Sequence, residues 1–250
     1  MAEGNTKTIA FLGASTGIGL AALTRALAAG HTCIALCRKP AKLTERFPAA
    51  SHPNLHVVEG NAHDVAAVSR CLRSEQQQPV DVVVSSIGGA FILSKMTLDD
   101  PHVCEKGMST LVAAIAKVRQ ETAAAAGWKP RVVVVSSAGL ARSGRDYPLA
   151  LIPMYKLMLK VPHVDKVAME KVLVDGASGA GAGYAYTIVR PSLLVDEAAP
   201  KREVRVGIDD NFVVGYTISR DDAGRWLYEN LLRDGGEAGR YENRIATITW

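Results

Sequence analysis

The sequence predicts a doubly wound α/β fold, a parallel sheet with helices on both faces. Three observations predict it. Short β-branched runs alternate with helical stretches along most of the chain. The runs are apolar throughout instead of alternating apolar with polar, as strands buried on both faces must be. A glycine cluster, Gly13, Gly17 and Gly19, stands between the first strand candidate and the first helix candidate. At 250 residues the chain is long enough for one domain with a well-buried core, expected over 1–250.

The elements follow in order. Thr8–Leu12 is the first strand and Ile18–Ala29 the first helix. Cys33–Cys37 and His56–Glu59 are the next strands, and Val65–Arg73 is the helix after them. Val80–Ser85 is a fourth strand, followed by a long helical stretch, His102–Ala126. Arg131–Ser136 is a fifth strand, Val164–Val174 a helix and Tyr186–Val189 a sixth strand. A helix at Asp221–Leu232 and a strand near Ile245–Thr249 close the chain. Crossovers between parallel strands are expected to be right-handed. Two stretches break the rhythm. LARSGRDYPLALIPMYKLMLKV (140–161) is too long and apolar for a plain connection, and GASGAGAGY (176–184) reads as a flexible surface link. Residues 140–163 and 192–218 are expected as insertions on the substrate side, the latter a small C-terminal cap.

Composition narrows the function. Hydrophobic residues make up 48% and charged residues 22%, near the average for a globular protein. There are 29 basic against 25 acidic residues, a net charge of +4, with no long basic run. Nucleic acid and membrane surfaces are therefore not expected partners. The segment MAEGNTK lacks a basic-then-apolar signal, and the apolar stretches are too short for a bilayer, so the expected place is cytoplasmic. The cysteines at 33, 37, 71 and 104 have no metal-site spacing. Cys33 and Cys37 point to one face of a strand and read as buried small hydrophobes.

The glycine cluster sits in the strand–turn–helix context that a dinucleotide needs. Glycine permits unusual backbone angles and lets a phosphate approach backbone N–H groups, while the helix N-terminus adds partial positive charge. An acid about 20 residues further on usually binds the adenosine ribose hydroxyl. No acid stands there; Arg38 and Lys39 do. A guanidinium can grip a 2′-phosphate and stack on adenine, so NADP(H) is the expected cofactor.

At this point the chain resembles the short-chain dehydrogenase/reductase superfamily, a Rossmann-type fold. GASTGIG has its glycine spacing and brings Ser15, Thr16 and Ile18 into the expected phosphate loop. EGNAHD resembles the loop that packs on adenine, with Asn61 where aspartate is common and Ala62 beside it. VVVSSIGG resembles the strand and loop under the nicotinamide half, with Ser86, Ile87 and Gly88. VVVVSSAG resembles the strand that carries the substrate-orienting serine, here Ser137. In YTIVRPSLL, Arg190 and Pro191 match the pair that borders the nicotinamide, and ISRDDAGRWL resembles a late segment of the atypical branch. The nearest look is to NAD(P)-binding-10-like members, including biliverdin-IXβ/flavin reductases and NADP-sensing repressor-like proteins.

The resemblance implies hydride transfer with a tyrosine as proton donor and a lysine four residues later that lowers its pKa and holds the ribose. This chain has no Tyr-x-x-x-Lys. PHVDKVAMEKVL (162–173) resembles the helix that carries the pair; Lys166 falls at the lysine place and Pro162 at the tyrosine place. Tyr155 and His163 are the replacement candidates, His163 because imidazole titrates near neutral pH; each also reads as packing. Lys166 reads as a ribose clamp as well.

The reading is an NADP(H)-dependent oxidoreductase of atypical short-chain type, acting on an apolar carbonyl, quinone or conjugated compound. The alternatives are a redox-inactive NADP(H)-binding regulator and a site repurposed for isomerisation or elimination. Expected pocket walls are Gly88–Leu93, Leu149–Leu159 and Leu193–Asp196, whose Leu, Ile, Met and Phe content suits an apolar small molecule. Monomer and homodimer both stay open. The resemblance implies pairing through helices near 102–126 and 164–174, and Pro162 and the 140–161 stretch stand against it.

Overall fold

The computed structural model describes residues 6–92, 97–121, 127–178, 183–196 and 202–250. Its centre is an eight-stranded sheet. In chain order these strands are β1 (Thr8–Leu12), β2 (Thr32–Cys37), β3 (Leu55–Glu59), β4 (Val82–Ser85), β7 (Arg131–Val135), β8 (Ala185–Pro191), β10 (Arg205–Ile208) and β12 (Arg244–Thr249). Two short ribbons stand apart: β5 (Phe91–Ile92) with β6 (Thr97–Leu98), and β9 (Leu193–Val195) with β11 (Thr217–Ser219). Spatial order across the sheet is β10-β12-β8-β7-β4-β1-β2-β3. Neighbours pair parallel except β10, which runs antiparallel to β12 at one edge.

The apolar strands divide their side chains between two cores, as a period of two requires. Ile9 and Phe11 of β1, Cys33, Ala35 and Cys37 of β2, and Val133 and Val135 of β7 enter one core. Ala10 and Leu12, Ile34 and Leu36, and Val132 and Val134 enter the other. Helix α1 (Gly17–Ala28), the short α2 (Ala41–Thr44) and α6 (Arg220–Leu227) cover the first face through Leu23, Leu43 and Leu227. Helices α3 (Val65–Cys71), α4 (Val103–Glu121) and α5 (Lys160–Ser178) cover the second through Val68, Leu111 and Leu173. Cys33 and Cys37 are buried as expected, and the described cysteines are all free. Among the described residues no helix is long and apolar enough to cross a membrane.

Two expectations need correction. Helix α5 starts at Lys160, four residues before the predicted start, with Pro162 inside its first turn. Proline is tolerated there because N–H groups of a first turn have no intrahelical acceptor. The glycine-rich stretch 176–184 is not a surface link where it is described. Residues up to Ser178 continue α5, and Tyr184 is buried with its hydroxyl donating to Leu173 O at 2.8 Å. Gly176 makes this possible, since a Cβ there would lie 2.3 Å from the Tyr184 hydroxyl. Residues 179–182 lie outside the described residues, as do 122–126 of the predicted long helix, Leu93 of the predicted pocket wall and 197–201 of the predicted cap.

The stretch 140–161 carries a 3-10 turn at Leu149–Leu151 and a π-type turn at Met154–Met158. Strand β1 pairs with β2 on one side and with β4 on the other. The strand order reverses there, which opens a crevice beyond the C-terminal ends of the strands.

Candidate dinucleotide site

The crevice at the end of β1 is built on contacts that only glycine allows. Gly13 has φ +85° and Gly17 φ +63°, both in the left-handed region. A Cβ on Gly13 would lie 2.8 Å from the carbonyl of Ser86, in the loop after β4. On Gly19 it would lie 2.2 Å from Ser86 Oγ and 2.8 Å from Gly13 O. Ser86 Oγ donates to Gly13 O at 2.9 Å, and Ser86 N–H donates to Leu12 O at 2.9 Å. The phosphate-loop residues and the β4 loop are thereby one assembly.

Thr16 caps α1 in extended conformation, with φ −154°, and its side chain makes no cap hydrogen bond. Leu20 N–H reaches back to Thr16 O at 3.3 Å, so the amides of Gly17, Ile18 and Gly19 precede the first intrahelical bond. No acidic residue occupies the first turn of α1. Open amides, absent side chains and the positive end of the helix dipole fit a pyrophosphate. Ser15 is half-buried and Thr16 exposed on this loop, and Ile18 is buried.

Around that centre lie the other expected residues. Arg38 and Lys39 are exposed just beyond β2. Asn61 is exposed, and its Oδ1 accepts the His63 N–H at 3.1 Å. Ala62 packs on the second core. Ile87 packs there too, while Gly88 is exposed and has nothing within 4 Å of its absent Cβ. Lys166 Nζ donates to Ile87 O at 3.2 Å and to Val135 O at 2.8 Å, which joins the ends of β4 and β7 through α5.

Arg190 takes a partner that the sequence reading did not give it. Its guanidinium is buried and forks onto Glu170: Nε donates to Oε1 at 2.9 Å and a terminal nitrogen to Oε2 at 2.5 Å. Ser136 Oγ donates to the same Oε1 at 2.5 Å. The side chain of Arg190 is therefore tied to α5. Pro191 is buried, and its carbonyl accepts the Ala138 N–H at 2.9 Å. Ser137 Oγ donates to Ala138 O at 2.9 Å.

The candidate proton donors gather behind the loop after β7. Tyr155 is 4% exposed and stacks on Tyr147 with ring centroids 4.1 Å apart. His163 lies beside it at 5.6 Å between centroids. Gly139 has φ +92°, and a Cβ on it would lie 2.5 Å from the Tyr155 ring and 2.6 Å from the His163 ring. Burial, and after it the Asp146 carboxylate, pushes the Tyr155 hydroxyl up to about 12. Burial pushes the His163 imidazole down to about 4. His163 is thus neutral at pH 7, which corrects the expectation that it titrates near neutrality.

Sequence reasoning passed over three contributors. Asp165 is buried on α5 and caps α4 from outside: its two carboxylate oxygens accept Cys104 N–H and Glu105 N–H, each at 2.9 Å. Nothing in the local pattern signals a cap 60 residues away. Asp146 is buried, with Oδ1 accepting Gly139 N–H at 2.9 Å. Arg220 stands over Gly17, its Cδ 3.5 Å from the absent Cβ. A visible signal did mark the helix it opens, because Ser219 with Asp222 forms a serine cap; Ser219 Oγ accepts Asp222 N–H at 2.9 Å.

A family model described as NAD(P)H-binding matches residues 13–234, from the first glycine of the loop almost to the end of the chain. The chain belongs to this NAD(P)H-binding family. The NAD(P)-binding resemblance read from the glycine loop agrees with this. The chain is 38% identical over 261 residues to a protein named reductase pytE from Aspergillus terreus, across 97% of this chain and 98% of that one. It is 30% identical over 277 residues to one named oxidase pynE from Aspergillus niger, across 97% and 98%. Among solved structures, a short-chain dehydrogenase/reductase from Veillonella parvula in complex with NADP superposes with a TM-score of 0.71. That match covers 98% of this chain and 95% of the other at 18% identity, a likeness of fold.

Proposed function

We propose that the protein is an NADP(H)-dependent oxidoreductase of the atypical short-chain type, acting on an apolar carbonyl, quinone or conjugated small molecule. The observation that carries the reading is the Gly13–Ser86–Gly19 contact, a cradle too tight for any side chain, beneath the open amides of α1. The names reductase and oxidase carried by the Aspergillus relatives support redox chemistry. Arg38, exposed beyond β2 where an acid would select NAD(H), supports the phosphorylated cofactor. NADP(H), when bound, supplies or accepts a hydride.

The chain's own residues would hold and shield the reactants. Lys166 fixes the two loops that flank the nicotinamide end, by its bonds to Ile87 O and Val135 O. Ser137 is the candidate to orient a substrate oxygen. Of the two candidate donors, Tyr155 carries its proton at neutral pH, as a weak acid that burial makes weaker, and His163 is neutral. Leu149 and Leu157, 65% and 70% exposed, with Met154 and Met158 nearby, offer apolar surface to an apolar substrate. Four free buried cysteines suit a cytoplasmic setting.

The test follows NADPH absorbance with a panel of quinones, flavins and aromatic ketones. Turnover with at least one class supports the reading. Tight NADPH binding without turnover on the whole panel favours the second reading, a redox-inactive NADP(H)-binding protein, for which Pro162 at the usual tyrosine place speaks. In an active enzyme, Tyr155→Phe should cut turnover while His163→Ala does not; full activity in both assigns the proton to solvent. Ser137→Ala should lower turnover by roughly tenfold to a thousandfold.

A further inference from the structure

The ribbon of β9 and β11 ends on an ion pair that lies over the phosphate loop. Leu193, Leu194 and Val195 pair in parallel with Thr217, Ile218 and Ser219. The next residue on each strand is charged, and these two meet: an Arg220 terminal nitrogen donates to Asp196 Oδ1 at 2.8 Å. The Arg220 side chain lies against Gly17, whose absent Cβ would be 3.5 Å from Cδ and 3.9 Å from Nε. Both residues line a groove of about 280 Å³ that runs from Gly17 along α1. Two other cations line the groove: Arg25, which is taken up by Asp221 with two bonds at 2.9 and 2.8 Å, and the exposed Arg46.

This pair is badly placed for stability and well placed for exchange. The side chains are 36% and 82% exposed, and an ion pair so exposed to water contributes little. Asp196 also puts a negative charge beside the loop that must receive a pyrophosphate. We propose that Arg220 is a second, cationic ligand for the pyrophosphate of the bound dinucleotide, held by Asp196 until the cofactor arrives. A phosphate oxygen beside Gly17 competes with the Asp196 carboxylate for the same guanidinium and wins by adding the α1 amides and helix dipole to the attraction. Because Asp196 closes the β9–β11 ribbon, the exchange links cofactor binding to the end of that ribbon.

The inference rests on the NADP(H) reading, and titrations of the full chain with NADPH, NADH and 2′-AMP separate the two. Wild-type protein that binds none of the three overturns the cofactor reading itself and this inference with it. If wild type binds, Arg220→Gln should weaken NADPH and NADH by the same factor, about tenfold to a hundredfold. It should leave 2′-AMP, which has no pyrophosphate, unchanged. Arg38→Gln should do the reverse, weakening NADPH and 2′-AMP and sparing NADH. Asp196→Asn should tighten NADPH a few-fold, and only while Arg220 is present, so that the double variant binds no better than Arg220→Gln. Arg220→Lys should recover part of the affinity, which a purely structural role for the side chain would not explain. Binding of NADPH to Arg220→Gln within twofold of wild type overturns the inference, as does equal weakening of 2′-AMP.

Discussion

Gly19 shows how much a single hydrogen atom in place of a methyl can decide. A Cβ there meets Ser86 Oγ at 2.2 Å and Gly13 O at 2.8 Å, and the second contact is backbone that cannot turn away. Gly19→Ala should therefore destabilise the protein by about 1–3 kcal/mol through overpacking and lower NADPH affinity tenfold or more. Adding Ser86→Ala relieves only the first clash, so it should restore part of the melting temperature and little of the affinity. Unchanged NADPH binding in Gly19→Ala would refute the cradle. His163 carries a second consequence at this scale. Its folded pKa of about 4 lies below the ordinary value of 6.5, so the unfolded chain binds the extra proton between those pH values. Stability is then whole above pH 6.5 and falls as pH drops toward 4, by roughly 3 kcal/mol. His163→Gln should flatten the denaturation midpoint across that window; a profile as steep as wild type would show that other groups set it.

At the scale of elements, α4 depends on a cap it does not carry. Asp165 of α5 accepts the Cys104 and Glu105 N–H groups with one oxygen each, and places a carboxylate at the positive end of α4. Asp165→Asn keeps one acceptor and loses the charge; Asp165→Ala leaves the buried Cys104 N–H and the part-buried Glu105 N–H without this partner. Expected losses are about 1 kcal/mol for the first and about 2–3 kcal/mol for the second, read from urea midpoints at unchanged slope. Equal stability of Asp165→Ala and wild type would dismiss the cap. Seven strands of the main sheet were legible as apolar runs, because burial on both faces writes a continuous signal. The ribbon strands β5, β6, β9 and β11, of two or three residues each, were not. Nor was the antiparallel edge strand β10, which is held by β12 and begins and ends in mixed polar sequence. Such short pieces are selected by partners distant in sequence, which local propensity does not report.

Over the whole molecule, the glycine loop was readable because a phosphate site demands one spacing in one strand–helix context, whereas the pairing of Arg190 with Glu170 was not, because Glu170 arrives from another layer. Arg220 escaped for the same reason: only the packing of α6 on α1, where a Cβ on Gly224 would sit 2.4 Å from Ala21 Cβ, carries it to Gly17. That packing makes the crevice a property of the folded chain alone, with β1, β4, α1 and α6 all required. A ligand that binds only the folded form stabilises it by mass action. NADPH at a hundred times its dissociation constant should therefore add about 2.7 kcal/mol. For a chain of this length, that corresponds to a rise of roughly 5–11 °C in melting temperature. NADH at the same concentration should raise it less, since Arg38 then has no 2′-phosphate to grip. Arg38→Ser should remove the difference by lowering the NADPH shift to the NADH level, with the NADH shift unmoved. Equal shifts from the two cofactors in wild-type protein would mean that Arg38 makes no selection and that the preference for the phosphorylated form is wrong.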